Sequence, residues 1–236
     1  MSLSSGNTGA ALVPAQVTIP AGASSATFLV TTRIVPGAAN AVVTLSAALG
    51  AATQTAHLTL TPTPGVTFGG GLNFLSLPFD YGATPLDRVF GYAGVKVAFW
   101  QPALSAYALT PAAPADAMRL GRGYWVRLPQ SLTVSAAGTP ADTSADFRLD
   151  LPTGWNQVGD PFLSAVPLTG LKIESGGAVS PFAQPSGTGG LVGAGVYAYE
   201  QGQGGYSLLA PSAALQPGRG YWIWAALPVT LVIPHP

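Results

Sequence analysis

The sequence contains no cysteine and only two histidines, His57 and His235. Without cysteine there is no disulfide framework, no thiolate metal site and no cysteine nucleophile. A serine nucleophile needs a base beside it, but His57 lies in a predicted strand and His235 is the last residue but one. We therefore expect no catalytic triad.

Charged side chains are also scarce, at 8% of the 236 residues against about 25% in a typical domain. The nine basic residues are scattered and cancel the nine acidic ones, so we expect no nucleic acid partner, which requires a basic patch. Hydrophobic residues make up 48%, which excludes a disordered chain. The longest apolar stretch, residues 221–234, contains Pro228 and is shorter than the about 20 residues of a membrane span.

Glycine and proline are abundant, with 30 and 22 residues, and interrupt the chain every few positions. Between them, period-two alternation of Val, Thr, Leu and aromatic residues predicts strands at 16–19, 26–31, 41–47, 55–61, 131–135 and 228–233. Two short helices are predicted, one at 86–90 and one at 112–120 between interrupting prolines. The sequence thus predicts an all-β fold with little helix.

Residues 1–62 are predicted to form the first domain. A Pro-Ala-Gly turn at 20–22 precedes a Thr-rich segment, and His-Leu-Thr-Leu-Thr-Pro closes the domain at 57–62. This pattern resembles the later part of a bacterial Ig-like repeat, a stalk module of secreted and surface proteins. Because such modules have about 100 residues, the resemblance implies an incomplete Ig-like β-sandwich that lacks its opening strands.

Residues 63–236 are predicted to form the second domain, which contains an internal repeat. Gly-Arg-Gly-Tyr-Trp occurs twice, and so does a Gly-x-Asn segment that is followed by Pro-Phe; the matching stretches are 71–79 with 154–162 and 121–125 with 218–222. The first copy spans about 66–150 and the second about 151–236. We expect a pseudo-symmetric pair of β-sandwich or barrel-like units.

The repeated residues have structural interpretations. The glycines are predicted to permit positive φ or close backbone approach. Asn73 and Asn156 are suited to fixing turns through their side-chain amides. In each Tyr-Trp pair, one ring is expected to face inward and the other outward, because side chains alternate along a strand.

The paired segments resemble the tandem GWNLxGxP…GxGYW units of secreted and surface proteins of environmental bacteria. This resemblance implies an extracellular or cell-surface location and a capacity to bind a ligand or polymer. The residues from Met1 onward lack the basic and apolar regions of a signal peptide. We therefore expect that an export signal was removed or belongs to a longer chain.

Other site chemistries have weak support. Asp142, Asp146 and Asp150 recur every four residues, a spacing that does not converge on a calcium ion in a strand. The glycine-rich run at 187–195 matches no nucleotide-binding template and is predicted to be a loop. Asp80 and Asp160 occupy related places in the copies, which leaves a glycoside hydrolase as a minor alternative. No cofactor or metal is expected.

The aromatic residues are the main candidates for ligand contact. Trp100, Tyr107, Tyr199 and Tyr206 lie at equivalent places in the two copies, and flat rings suit the apolar C–H faces of sugars. They also suit the filling of two cores that have few long aliphatic side chains. A carbohydrate-binding module with an aromatic platform is therefore one hypothesis for the function.

A non-enzymatic structural protein of the cell exterior is the other main hypothesis. The incomplete Ig-like domain is expected to leave strand edges open, and an open edge accepts a strand from another chain. Val229, Leu231 and Ile233 mark an apolar strand that could be donated. The expected partners are copies of the chain itself, neighbouring surface proteins or a polysaccharide.

Overall fold

A computed structural model describes residues 1–32, 41–60, 65–136, 138–182 and 190–236. Strands account for 49% of the structure and helices for 5%, which confirms the all-β prediction. The chain divides into two compact units, Met1–Gly65 and Val66–Pro236. The predicted boundary at 62 falls within residues 61–64, which lie outside the described ranges.

The described part of the N-terminal unit contains five strands: β1 Ser2–Ser5, β2 Ala11–Leu12, β3 Thr31–Thr32, β4 Ala41–Leu49 and β5 Ala52–Leu60. They form one antiparallel sheet in the order β1-β4-β5 and one β2-β3 pair. Among the described residues of this unit, only Ala11 and Val43 are buried hydrophobic side chains. The described part of this unit therefore has a small hydrophobic core.

Two of the strands predicted in this unit are confirmed and two are not. Strand β4 covers the predicted segment 41–47, and β5 covers the predicted segment 55–61 up to residue 60, since residue 61 lies outside the described ranges. The two strands pair from Ala41–Leu60 to Leu49–Ala52. The prediction of strands at 16–19 and 26–31 was wrong, because these residues form only a bridge from Gln16 and the first residue of β3. Alternation marks extended chain, but a strand also needs a hydrogen-bonded neighbour.

The C-terminal unit begins with a half that spans residues 66–140, called here the first half. Its elements are β6 Val66–Phe68, β7 Gly71–Leu75, β8 Phe79–Asp80, helix α1 Leu86–Phe90, β9 Lys96–Gln101, a 3-10 turn Pro102–Leu104, β10 Ala106–Leu109, β11 Tyr124–Leu128, β12 Leu132–Val134 and β13 Thr139–Pro140. The main sheet has the order β10-β9-β11-β7, and β12-β6 and β13-β8 form separate pairs.

The second half spans residues 147–236. Its elements are β14 Phe147–Leu151, β15 Gly154–Gly159, β16 Val166–Pro167, a 3-10 turn Leu168–Gly170, β17 Lys172–Ser175, β18 Ala178–Pro181, β19 Val192–Glu200, β20 Gly205–Leu208, β21 Ala214–Leu215, β22 Gly220–Ala225 and β23 Val229–Ile233. Two four-stranded sheets, β15-β22-β19-β20 and β14-β23-β17-β18, enclose its core, and β16 pairs with β21.

Several local predictions for this unit can be compared with these bounds. Helix α1 and strands β12 and β23 confirm the segments predicted at 86–90, 131–135 and 228–233. No helix forms at 112–120, where Pro114 cannot donate a helical hydrogen bond. The prediction of a loop at 187–195 was wrong for residues 192–195, which belong to β19. Residues 187–189 lie outside the described ranges.

The two halves share their strand order and their anchoring hydrogen bonds. Their main sheets, β10-β9-β11-β7 and β20-β19-β22-β15, have the same order. The Asn73 side chain donates to the carbonyl oxygens of Gly69 and Gly71, and that of Asn156 donates to those of Pro152 and Gly154. The prediction that these asparagines fix turns is therefore confirmed.

The Tyr-Trp pairs point to opposite sides of their strands, as predicted. Tyr124 and Tyr221 are buried in the core of their own half, and each hydroxyl accepts a backbone hydrogen bond from five residues earlier. Trp125 and Trp222 face the other way and pack in a separate aromatic cluster with Phe74. Each main sheet thus has one face on its own core and the other on this shared cluster.

The halves are joined by reciprocal backbone contacts. The amide of Ser76 donates to the carbonyl oxygen of Gly218 at 3.2 Å, and that of Gly159 donates to Gly121 at 2.9 Å. At Gly159, an added Cβ would lie 2.1 Å from the Cβ of Ser76. A side chain at that position would therefore displace one half from the other.

We expect Gly159→Ala to destabilise the C-terminal unit by about 1–3 kcal/mol, the usual cost of overpacking a well-packed contact. Thermal unfolding should then begin several degrees lower. Adding Ser76→Gly removes the opposing Cβ and should restore part of the lost stability. Gly205→Ala is the matched control, because a Cβ there meets no atom within 4 Å. Equal melting temperatures for Gly159→Ala and this control would contradict the packing described here.

Candidate functional site

An aromatic cleft lies where the two main sheets of the C-terminal unit meet. Cross-strand pairing places its rings: Tyr107 lies opposite Trp100 on β10 and β9, and Tyr197 lies opposite Trp222 on β19 and β22. Residues that pair in this way project from the same face of a sheet. The rings therefore emerge on the side of each sheet away from its own core.

The cleft has a volume of about 440 Å³, and all of the residues that line it in the described structure are aromatic: Trp100, Tyr107, Trp155, Tyr197, Tyr206 and Trp222. The first half contributes Trp100 and Tyr107, whose ring centroids are 5.0 Å apart. The second half contributes Trp155 and Tyr197, with centroids 5.5 Å apart. Each half thus supplies one edge-to-face pair.

Trp222 connects the two pairs. Its ring lies 6.4 Å from Trp100 and 6.3 Å from Trp155, at interplanar angles of 76° and 84°. Phe74 packs behind it at 5.5 Å. Because Trp222 is buried between the halves while both of its neighbours stand nearly perpendicular to it, we describe it as the floor of the cleft.

The rim of the cleft is open to solvent. Tyr206, Tyr107 and Trp155 have 55%, 43% and 42% of their surface exposed. An aromatic ring that only fills a core is normally buried, because burial of the ring stabilises the fold. These three side chains are available to a ligand without any rearrangement.

None of the described residues that line the cleft is Asp, Glu, Lys, Arg or His. The pKa of Tyr107 is raised, first by burial of its hydroxyl and then by the proximity of Tyr206, while a hydrogen bond with Trp125 opposes the shift. The indole Nε1 atoms of Trp100 and Trp222 are buried and have no hydrogen-bond partner among the described residues. A ligand in the cleft therefore meets mainly π faces.

Three of the four predicted ligand-contact residues line the cleft: Trp100, Tyr107 and Tyr206. The fourth, Tyr199, lies beside it, with its ring 4.8 Å from Trp125 and 5.7 Å from Tyr206. Sequence reasoning did not single out Trp155 and Tyr197 for the site. Trp155 precedes the turn-fixing Asn156, so alternation alone could have placed it on the face opposite the buried asparagine.

The predicted assembly strand has a different environment. Val229, Leu231 and Ile233 lie on β23, which pairs with β14 on one side and β17 on the other. All three side chains are buried in the core of the second half. In this fold the strand has no unpaired edge to offer another chain, so we do not propose it as a donor.

The acidic residues that could have formed a catalytic pair lie elsewhere. Asp80 accepts hydrogen bonds from the Gly82 amide and from Arg119. Asp160 is fully buried, and its Oδ1 accepts a hydrogen bond from the Phe162 amide at 2.8 Å. A glycosidase places two carboxyl groups on either side of the scissile bond, whereas every side chain that lines the described cleft is aromatic.

The three aspartates with four-residue spacing have separate partners. Asp142 accepts hydrogen bonds from Ser144, Asp146 contacts His235, and Asp150 accepts one from Thr230. Within the described ranges, no three His, Asp or Glu side chains are grouped closely enough to hold a metal ion.

No known protein family, no curated protein and no solved structure matches this chain. In the part of the chain that the structure describes, no helix has the length and apolar character to cross a bilayer.

Asp160 makes the stability of the C-terminal unit depend on pH. Burial raises the pKa of this carboxyl from its ordinary 3.8 to about 7, although backbone hydrogen bonds from Phe162 and Val166 lower it. The folded chain therefore keeps the proton up to about pH 7, whereas the unfolded chain loses it above about pH 4. Stability contributed by the protonated carboxyl should be complete below pH 4 and be lost as the pH rises to 7.

A pKa difference of one unit corresponds to about 1.4 kcal/mol. The contribution of Asp160 to the free energy of unfolding should therefore fall by up to roughly 4 kcal/mol between pH 4 and 7. We expect Asp160→Asn to remove most of this fall, because the amide is neutral throughout and keeps an acceptor for the Phe162 amide. Denaturant unfolding at a series of pH values measures the effect. The exposed Asp116→Asn variant is the control; an unchanged pH dependence in Asp160→Asn would contradict the assignment.

Proposed function

We propose that this chain is a non-enzymatic carbohydrate-binding protein that holds an uncharged polysaccharide in the aromatic cleft. One observation carries the proposal: a cleft of about 440 Å³ lined by six aromatic rings, three of which are substantially exposed. Aromatic faces attract apolar C–H groups, and the cleft volume lies in the range of small-molecule sites.

The arrangement of the rings supports a chain-like ligand with apolar faces. Trp100 and Tyr107 from one half and Trp155 and Tyr197 from the other supply rings to the same cleft. Pyranose rings offer apolar C–H faces, with polar hydroxyl groups mainly around the edge. A sugar unit between the aromatic pairs could contact rings with its faces while its hydroxyl groups remain in water.

The absence of charge from the cleft lining supports an uncharged ligand. A carboxylate or sulfate in the cleft would lose hydration, and the described lining residues offer no opposite charge to compensate for it. The same aromatic lining supports binding without hydrolysis, since glycosidases depend on paired carboxyl groups.

An extracellular or cell-surface location fits a polysaccharide ligand and stays a prediction. Self-assembly by strand exchange also stays a prediction. Strand β5 pairs only with β4 among the described residues of the N-terminal unit, which is compatible with an acceptor edge. The strand expected to act as donor is already paired on both sides.

The proposal predicts that Trp155→Ala and Tyr206→Ala each weaken polysaccharide binding about tenfold. Both side chains are exposed at the rim, so their removal should leave the fold intact and take away stacking area, at a cost of about 1.4 kcal/mol. Affinity electrophoresis in gels that contain soluble neutral glucans or xylan, followed by calorimetric titration with retained oligosaccharides, measures the loss.

Phe28→Ala is the control, because Phe28 is an aromatic residue of the N-terminal unit that is 37% exposed and does not line the cleft. It should bind as the unmodified chain does. Failure of the unmodified chain to bind any neutral polysaccharide, or an equal loss of affinity in Phe28→Ala, would overturn the proposal.

A further inference from the structure

A second cavity adjoins the aromatic cleft at Trp100. It has a volume of about 270 Å³, and Trp100 belongs to both linings. Its walls are largely apolar and include Phe99, Pro102, Pro114 and Pro152. In contrast to the cleft, it also contains guanidinium and amide groups, and these define what it can bind.

Gln157 supplies an unused hydrogen-bond donor to this region. It occupies the position in β15 that matches Phe74 in β7, since each lies directly after the turn-fixing asparagine. Its Oε1 accepts a hydrogen bond from the Trp100 amide at 2.5 Å. The side chain is 99% buried, yet its Nε2 has no partner among the described residues. A buried donor without a partner destabilises the fold unless a bound group accepts a hydrogen bond from it.

Arg122 supplies a positive charge without a paired carboxylate. Its counterpart in the second Gly-Arg-Gly-Tyr-Trp motif, Arg219, contacts Glu200 at 2.6 Å. The residue of the first half that matches Glu200 is Gln101, since each follows a ring paired across the strands. Within the described ranges Arg122 forms no salt bridge and donates to the Asp150 carbonyl oxygen at 3.0 Å.

The charged guanidinium group of Arg122 is also partly removed from water. The pKa of its guanidinium is lowered first by burial, and the charges of Tyr124 and Asp150 oppose the shift in part. The other arginine of the cavity, Arg119, is neutralised by Asp80 at 3.1 Å. Arg122 is thus the arginine of this lining that lacks a carboxylate partner in the described structure.

We propose that this cavity binds a small carboxylate with an apolar body. The carboxylate would accept hydrogen bonds from Arg122 and from Gln157 Nε2, since guanidinium groups suit carboxylates in charge and geometry. The apolar body would lie against Phe99, Trp100 and the proline rings. The two linings share Trp100, but this proposal does not depend on the polysaccharide proposed for the aromatic cleft.

Calorimetric titration of the unmodified full chain with benzoate tests the site. Benzoate should bind at least tenfold more tightly than benzyl alcohol, which has the same ring but no charge. Equal affinity for the two, or no binding of benzoate at millimolar concentrations, would overturn the proposal. This test needs no variant of the chain.

Arg122→Gln should reduce benzoate affinity at least tenfold, because it removes the positive charge and keeps an amide of similar reach. Arg148→Gln is the control, since Arg148 is exposed on the outer sheet, where it pairs with Glu174, and it should bind benzoate normally. Circular dichroism checks that both variants are folded. Undiminished binding in folded Arg122→Gln would show that the carboxylate is not held by this residue.

Two further titrations separate the source of the carboxylate and the two sites. Glucuronate has a polar body, so it should bind at least tenfold more weakly than benzoate if the natural ligand is a free apolar acid. Tighter binding of glucuronate would overturn the requirement for an apolar body and point to an acidic sugar. Trp155→Ala should keep its benzoate affinity whether or not the cleft binds polysaccharide, and its loss would refute the independence of the sites.

Discussion

The C-terminal unit depends on the absence of side chains where its halves meet. A Cβ at Gly159 would clash with Ser76, one at Gly123 would lie 2.8 Å from the Val158 carbonyl oxygen, and one at Gly220 would lie 2.8 Å from the Phe74 ring. These glycines allow backbone hydrogen bonds to form between the halves. Phe74 stacks on Trp125 of its own sheet at 4.7 Å, and the close approach of the halves brings Trp222 to 5.5 Å from Phe74.

Alternation along the strands then divides the aromatic residues between two tasks. In each Tyr-Trp pair the tyrosine fills the core of its own half, and the tryptophan meets the other half. Differences between the halves make the meeting face asymmetric. Where the first half has Ala98 and Leu72, the second has Tyr197 and Trp155, so the larger share of the cleft lining comes from the second half.

Much of this organisation could be predicted from the sequence because it depends on local chemistry. Frequent Gly and Pro predict short strands, Asn73 and Asn156 predict turns, and alternation predicts the division of the Tyr-Trp pairs. What depends on long-range pairing could not be predicted. Residues 26–31 have a strand-like pattern but mostly lack a ladder partner, and β23 is apolar because it is central, not because it is free. Tyr197 reaches the site only through its register with Trp222.

Reciprocal backbone contacts join Ser76 to Gly218 and Gly159 to Gly121. These contacts limit which fragments of the gene can encode a stable unit. A gene fragment that encoded only one half would leave a row of rings and two backbone donors or acceptors facing water. Such a fragment would be poorly soluble and would lack part of the cleft lining. Recombination that moves the unit between proteins should therefore preserve both halves in a single reading frame, while insertions are tolerated in the loops away from their junction.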